Sequence, residues 1–235
     1  MIKFSLYHGT SSYFLDEILI HGLGGKNISN EWGIKDFFKE VIFECNKVED
    51  RNFQKAILNS QQILDRILGN FHNPEGFNYR YGTVYLAVDH KRAIQYSLRE
   101  FGSELSRIAH GWYLDLKLFE PDKAFNLLEK YPKIKSIFSA VHKPIVIEIK
   151  DIILQEIATE GGLKGNHVTK KINEYLNNDF DHALDSSMIS LSFEYIGKPL
   201  MKERLYFYEV DYTKKNVNML SAFSARLIPM DINYS

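Results

Sequence analysis

The chain has 235 residues, 45% of them apolar and 14% aromatic, which is enough to bury a sizeable core and too apolar for large-scale disorder. Lys plus Arg number 29 against 30 Asp plus Glu, and the net charge of −1 excludes a chain-wide attraction to nucleic acid or anionic lipid. A single cysteine, Cys45, excludes an internal disulfide framework.

No apolar run approaches the roughly 20 residues that span a bilayer. The N-terminus MIKFSLYHGT lacks the apolar centre of a signal peptide, so cytoplasmic action without membrane contact is expected. Ile2 to Tyr7 alternates apolar and polar residues and predicts a first strand ending at His8-Gly9-Thr10. Ser11 or Ser12 would cap the helix that follows. Leu15, Ile18 and Leu19 form its apolar stripe, and Gly22 stops it. His8 then stands at a strand end beside a glycine whose bare backbone can approach a ligand.

Residues 25–81 read as a mostly helical insertion. Phe37, Phe38, Val41 and Ile42 mark one helix, and Phe53, Ile57, Leu64 and Leu68 a longer one. Asn70 to Tyr81 reads as a polar, aromatic loop serving either as a lid or acceptor-binding surface or as packing for the insertion. Gly82 to Ser97 predicts a short buried strand, Thr83 to Val88, turning at an Asp89 N-cap into a helix. Tyr85 and Tyr96, eleven residues apart, either pack a core or face one another as a slot for a flat ligand.

Trp112 to Leu118 alternates strictly and predicts a strand, followed by a short helix opened by Pro121 with Phe125 and Leu128 inward. Ile145 to Lys150 is another alternating strand, and helices are expected over 151–159 and 167–177. The glycine-rich turn between them, Gly161 to Gly165, matches no phosphate-loop spacing and reads as a flexible connector. Two strands close the chain, Met188 to Ile196 and Arg204 to Tyr212. The first puts Leu191, Phe193 and Tyr195 on one face and Ser190, Ser192 and Glu194 on the other. The histidines are scattered without ligand spacing, so no metal site is expected.

Three runs carry a resemblance: Y-H-G-T-S…I…H-G-L from Tyr7 to Leu23, G-x-x-Y-L-A…A-x-x-Y from Gly82 to Tyr96, and F-E-Y-I from Phe193 to Ile196. In this order they resemble the His-Tyr-Glu ADP-ribosyltransferases of the diphtheria-toxin-like and poly-ADP-ribose-polymerase-like branch, over roughly residues 1–24, 82–120 and 144–212. The resemblance implies one α+β domain over 1–235 with a split β-sheet core, an NAD cleft and the helical insertion at about 25–81. NAD would be the substrate and a macromolecule, RNA, DNA or protein, the acceptor.

Carried over, His8, Gly9, Thr10, Tyr85 and Tyr96 would bind NAD, and Glu194, His8 and Tyr85 would be catalytic. His8 would bond the adenosine-side ribose, Gly9 the carboxamide, the tyrosines the nicotinamide ring, and Glu194 the 2′-hydroxyl of the nicotinamide ribose. Breaking the nicotinamide–ribose bond builds an oxocarbenium-like cation, which a fixed carboxylate stabilises. Glu203, in an expected turn, and Glu209, on the opposite strand face, rank behind Glu194.

Two positions depart from the pattern. Ser192 stands where arginine-modifying relatives carry Glu, so arginine is not the expected acceptor. Ala93 stands where some polymerase-type members carry a carboxamide-binding hydroxyl. The resemblance further implies a bacterial toxin of a toxin–antitoxin or phage-defence system, with an antitoxin protein as partner. Late basic residues (Lys164, Lys170, Lys171, Lys198, Lys202, Arg204, Lys214 and Lys215) tilt the acceptor towards nucleic acid. The rival expectations are a catalytically silent NAD- or ADP-ribose-binding module and an RNA 2′-phosphotransferase. The latter needs an arginine cluster beside the cleft, and the sequence shows none near His8 or Tyr85.

Overall fold

The computed structural model describes residues 4–27, 31–50, 83–177, 192–214 and 223–231. Its strands are β1 (Phe4–Ser11), β2 (Val84–Ala87), β3 (Pro144–Ile152), β4 (Ile157–Thr159), β5 (Ser192–Tyr195), β6 (Leu205–Lys214) and β7 (Phe223–Pro229). Its α-helices are α1 (Leu15–His21), α2 (Ile34–Cys45), α3 (His90–Ser97), α4 (Glu104–Phe119), α5 (Pro121–Glu129), α6 (Pro132–Ser139) and α7 (Asn166–Asn177). The fold is mixed α+β, with one open sheet of order β4-β5-β2-β1-β3-β6-β7 in which all neighbours run antiparallel.

The joints of this sheet are unequal. β1 and β3 are paired from Phe4↔Ile152 to Ser11↔Pro144, whereas β1 and β2 are in register at Tyr7↔Ala87. Instead of the split pair of sheets that the resemblance implies, the strands form one sheet with a narrow joint at β1–β2.

Strand alternation sorts the side chains onto two faces. Leu6, Leu86, Phe193, Ile145, Ile147, Ile149 and Phe207 bury against α2 and α4 in the larger core. Ala87, Val146 and Val210 bury against Ala93 and Ile94 of α3 in a smaller one. α2 is therefore built into the main core through Phe37, Phe38, Val41, Ile42 and Cys45, each worth about 1–3 kcal/mol of burial. The expected helix over Phe53 to Leu68 and the loop over 70–81 lie outside the described residues.

Several local expectations hold. Asp89 caps α3 by accepting from the Lys91 N–H at 2.7 Å, and Gly22, at φ 77°, closes α1 by donating to the Ile18 carbonyl. Pro121 opens α5, and α7 covers the predicted 167–177 helix.

Others are corrected. Trp112 to Leu118 is not a strand but the second half of α4, because Leu105, Ala109, Trp112, Tyr113 and Leu116 recur at helical spacing and are buried. Leu114 and Leu118, which strand alternation would put beside Trp112 and Leu116, are exposed. In α5 Ala124 and Leu127 are buried and Leu128 packs half-buried against the core as expected, but Phe125 is exposed. Residues 151–159 are not a helix: they hold the end of β3, a 3-10 turn over Leu154–Glu156, and β4. Asp151 has a left-handed φ of 58°, which an α-helix does not admit.

The glycine turn after β4 is pinned rather than a free connector, since the Thr159 N–H donates to the Leu163 carbonyl and the Leu163 N–H to Thr159 Oγ1. β7 is a third closing strand, paired with β6 from Tyr208↔Pro229 to Lys214↔Phe223. Among the described residues no helix is long and apolar enough to cross a membrane.

Candidate active site

The site lies where β1, β2 and β5 meet α3. Glu194 pairs with Tyr85 across the β2–β5 ladder and with Ala158 across β4–β5, and it is buried. Directly opposed residues of an antiparallel pair share a face, with Cβ atoms about 5 Å apart. Tyr85 and Glu194 therefore stand together, beside Ala87 and Ser192, on the face that α3 covers.

His8 closes the seam between β1 and β2. It lies inside β1, opposite Ile147, and not at the strand end that the sequence predicts. Its Nδ1 is 2.9 Å from the Tyr85 carbonyl oxygen. A carbonyl only accepts, so Nδ1 carries the proton. Burial holds the ring's pKa below the ordinary histidine value, although the Tyr85 carbonyl works against this. The neutral ring thus presents Nε2 as an acceptor, and it has no hydrogen-bond partner among the described residues.

At Gly9 the close approach is made by α3. A Cβ at this position would lie 2.0 Å from the Ala93 carbonyl oxygen and 2.9 Å from Tyr96 Cβ. The missing side chain lets α3 lie directly on β1 and so fixes Tyr96 against the strand. Thr10 follows, buried and opposite Ile145. The structure thus ties the His8 ring to the Tyr85 backbone through a hydrogen bond, pairs Tyr85 with Glu194 by register, and packs Gly9 against Tyr96.

What lies over the Tyr96 ring is a pair of guanidiniums, Arg99 with Cζ at 4.5 Å and Arg92 with Cζ at 5.0 Å from the centroid. The sequence reading found no arginine cluster near His8 or Tyr85; these two arginines stand at Tyr96. The spacing 92, 96, 99 is a helical stripe legible in the sequence; that Tyr96 sits against β1 is not. Glu160, next after β4, is a second buried carboxyl group that sequence reasoning passed over.

The other acidic candidates are structural or exposed. Glu209 pairs with Lys143 at 2.9 Å, and Glu203 is exposed in the 3-10 turn over Lys202–Arg204. Glu156 accepts from both terminal Arg204 nitrogens, Nη1 at 2.8 Å and Nη2 at 2.9 Å. That ion pair holds the Glu156 carboxyl below its ordinary pKa. Tyr195, next to Glu194, donates its hydroxyl to the Lys198 carbonyl at 2.9 Å, which steadies the end of β5.

Comparison with protein-family models, with curated proteins and with solved structures finds no match.

Proposed function

We propose that this chain is a mono-ADP-ribosyltransferase that moves ADP-ribose from NAD to a macromolecular acceptor, on an ADP-ribosyltransferase-like core. The observation that supports this reading most is the register pair Tyr85↔Glu194, tied to His8 through the Tyr85 carbonyl. It links one residue from each of the three sequence motifs through backbone and register.

In this reading the C1′–nitrogen bond of the nicotinamide ribose breaks, and its electron pair leaves with nicotinamide as a neutral base. The Glu194 carboxylate stabilises the positive charge that develops on the ribose. A nucleophilic atom of the acceptor then bonds to C1′ and releases its proton to solvent. The neutral Nε2 of His8 accepts from a ribose hydroxyl, and Tyr85 and Tyr96 contact the nicotinamide. Ser192, beside Glu194, carries no second carboxylate, which keeps arginine out of the acceptor list.

A second reading, the RNA 2′-phosphotransferase, gains support from Arg92 and Arg99 beside Tyr96. One experiment separates the readings. The chain and Glu194→Gln are incubated with adenine-labelled NAD and cell lysate, then treated with RNase, DNase or protease. Glu194-dependent label in macromolecules is the expected result, and the treatment that releases it names the acceptor class. Folded protein that neither transfers label nor cleaves NAD overturns the transferase.

A further inference from the structure

We propose that Arg92 and Arg99 form a phosphoryl-binding subsite on α3, immediately beside Gly9 and Tyr96. Its ligand is a phosphate ester or diphosphate whose oxygens reach the two guanidiniums.

Arg92, Tyr96 and Arg99 fall at positions i, i+4 and i+7 along α3 and its end, so they lie on one stripe. Both guanidiniums lie on the Tyr96 ring, which fixes their planes without using up their N–H donors. The ring is itself fixed by the close approach of α3 to β1 at Gly9. The subsite is therefore preorganised by helix packing rather than by flexible surface lysines.

Among the described residues the charge of the pair is not cancelled. Arg92 donates to the neutral Gln95 side chain at 3.0 Å and has no carboxylate partner among those residues. Arg99 pairs with Glu104 at 2.8 Å. Two guanidiniums against one carboxylate leave one positive charge, on half-buried side chains where an anion's attraction is less screened than in open water. Arginine's planar fork matches phosphate oxygens, and bidentate bonds of this kind are about twice as strong as neutral ones. A structural role alone, covering the tyrosine, needs no second cation.

Two sources supply this chemistry: the diphosphate of a dinucleotide and a terminal phosphate on RNA. The dinucleotide arm rests on the transferase reading above; the subsite itself does not.

The test is calorimetric titration of the full chain with inorganic pyrophosphate, ADP-ribose, a 2′-phosphorylated oligoribonucleotide and nicotinamide. It is done for the wild type, Arg92→Gln and Arg92→Lys. Arg92 is chosen because removing it orphans no carboxylate among the described residues. The expected result is a loss of at least about tenfold in affinity for pyrophosphate in Arg92→Gln, part recovery in Arg92→Lys, and a smaller change for nicotinamide, which carries no phosphoryl group. A parallel loss for ADP-ribose names the dinucleotide; a parallel loss for the oligoribonucleotide alone names RNA, retains the subsite and removes the transferase reading.

Phosphoryl ligands that bind folded Arg92→Gln as tightly as the wild type overturn the subsite, even where ADP-ribose binding upholds the transferase. A wild type that binds none of the three phosphoryl ligands also overturns it. Should Arg92→Gln not fold, pyrophosphate affinity of the wild type is measured across a tenfold rise in salt. A marked fall is expected of a charge-built subsite, and salt-independent affinity overturns it.

Discussion

Tyr85 and Glu194 face each other directly across the β2–β5 ladder. The side chain of one cannot shift along its strand without breaking the register of four consecutive pairs from Val84↔Tyr195 to Ala87↔Ser192. Ladder pairing, not a loop, sets the carboxylate's position. Glu194→Gln keeps the shape and removes the charge. It is expected to lower NAD cleavage by about 10²–10³-fold, the usual cost of removing one transition-state electrostatic contact. Glu209→Gln, which breaks an exposed pair with Lys143, should leave cleavage unchanged. Comparable losses in both variants would sink the assignment of Glu194.

Gly9 and Gly111 give opposite expectations for the same substitution. A Cβ on Gly9 meets the Ala93 carbonyl oxygen at 2.0 Å, backbone that cannot move without lifting α3 off β1. Gly9→Ala should cost about 1–3 kcal/mol, the usual range for overpacking, and weaken ligand binding at Tyr96. At Gly111, exposed in α4, an added Cβ would meet nothing within 4 Å. Gly111→Ala should stabilise by about 1 kcal/mol through helix propensity. Denaturant midpoints for both variants decide the matter; a Gly9→Ala as stable as the wild type would mean that α3 does not rest on β1.

His8 gives the fold a pH dependence of defined sign. Burial lowers its pKa, so between that lowered value and about 6.5 the unfolded chain binds more protons than the folded one. Stability from this residue is fully present above about 6.5 and is lost as pH falls through that window. Denaturant unfolding at pH 7.5 and at pH 5.5 should show a larger acid loss for the wild type than for His8→Gln. Equal losses would place the acid sensitivity elsewhere.

What the sequence discloses follows the range of the interactions that set each feature. The strand–cap–helix of Thr83 to Ser97 is legible because Asp89 and its neighbours decide it locally. Trp112 to Leu118 misleads because a seven-residue window of alternating apolar residues also satisfies a helix, and the deciding residues, Leu105 and Ala109, lie before it. β4 is invisible because its strand state comes from pairing with β5, nearly forty residues on. His8, Tyr85, Tyr96 and Glu194 are nameable from motif order. The contact that seats Tyr96 beside β1, α3 on Gly9, is tertiary and leaves no periodicity.

Arg204 offers a positioning test away from the substrate. Besides the bidentate pair with Glu156, it donates Nε to the Lys150 carbonyl at 3.1 Å and Nη2 to the Asp151 carbonyl at 2.8 Å. Glu156 in turn accepts from the Ile153 N–H at 3.1 Å, and its carbonyl accepts from the Ile196 N–H at 2.8 Å. The end of β3, the 3-10 turn and the end of β5 are therefore clamped two residues from Glu194.

Arg204→Met leaves a half-buried carboxylate and two carbonyls without this donor, at about 2 kcal/mol. Because Glu156 loses the cation that lowers its pKa, the stability it contributes above about 4.3, lost in the wild type as pH falls through its folded value, should shrink in the variant. Adding Glu156→Gln should cost less than it does in the wild type, since the two act as one unit. Turnover should fall in Arg204→Met while the denaturant slope stays constant. An additive double-mutant cycle, with turnover intact, would reduce the pair to a surface ion pair and detach it from the placement of Glu194.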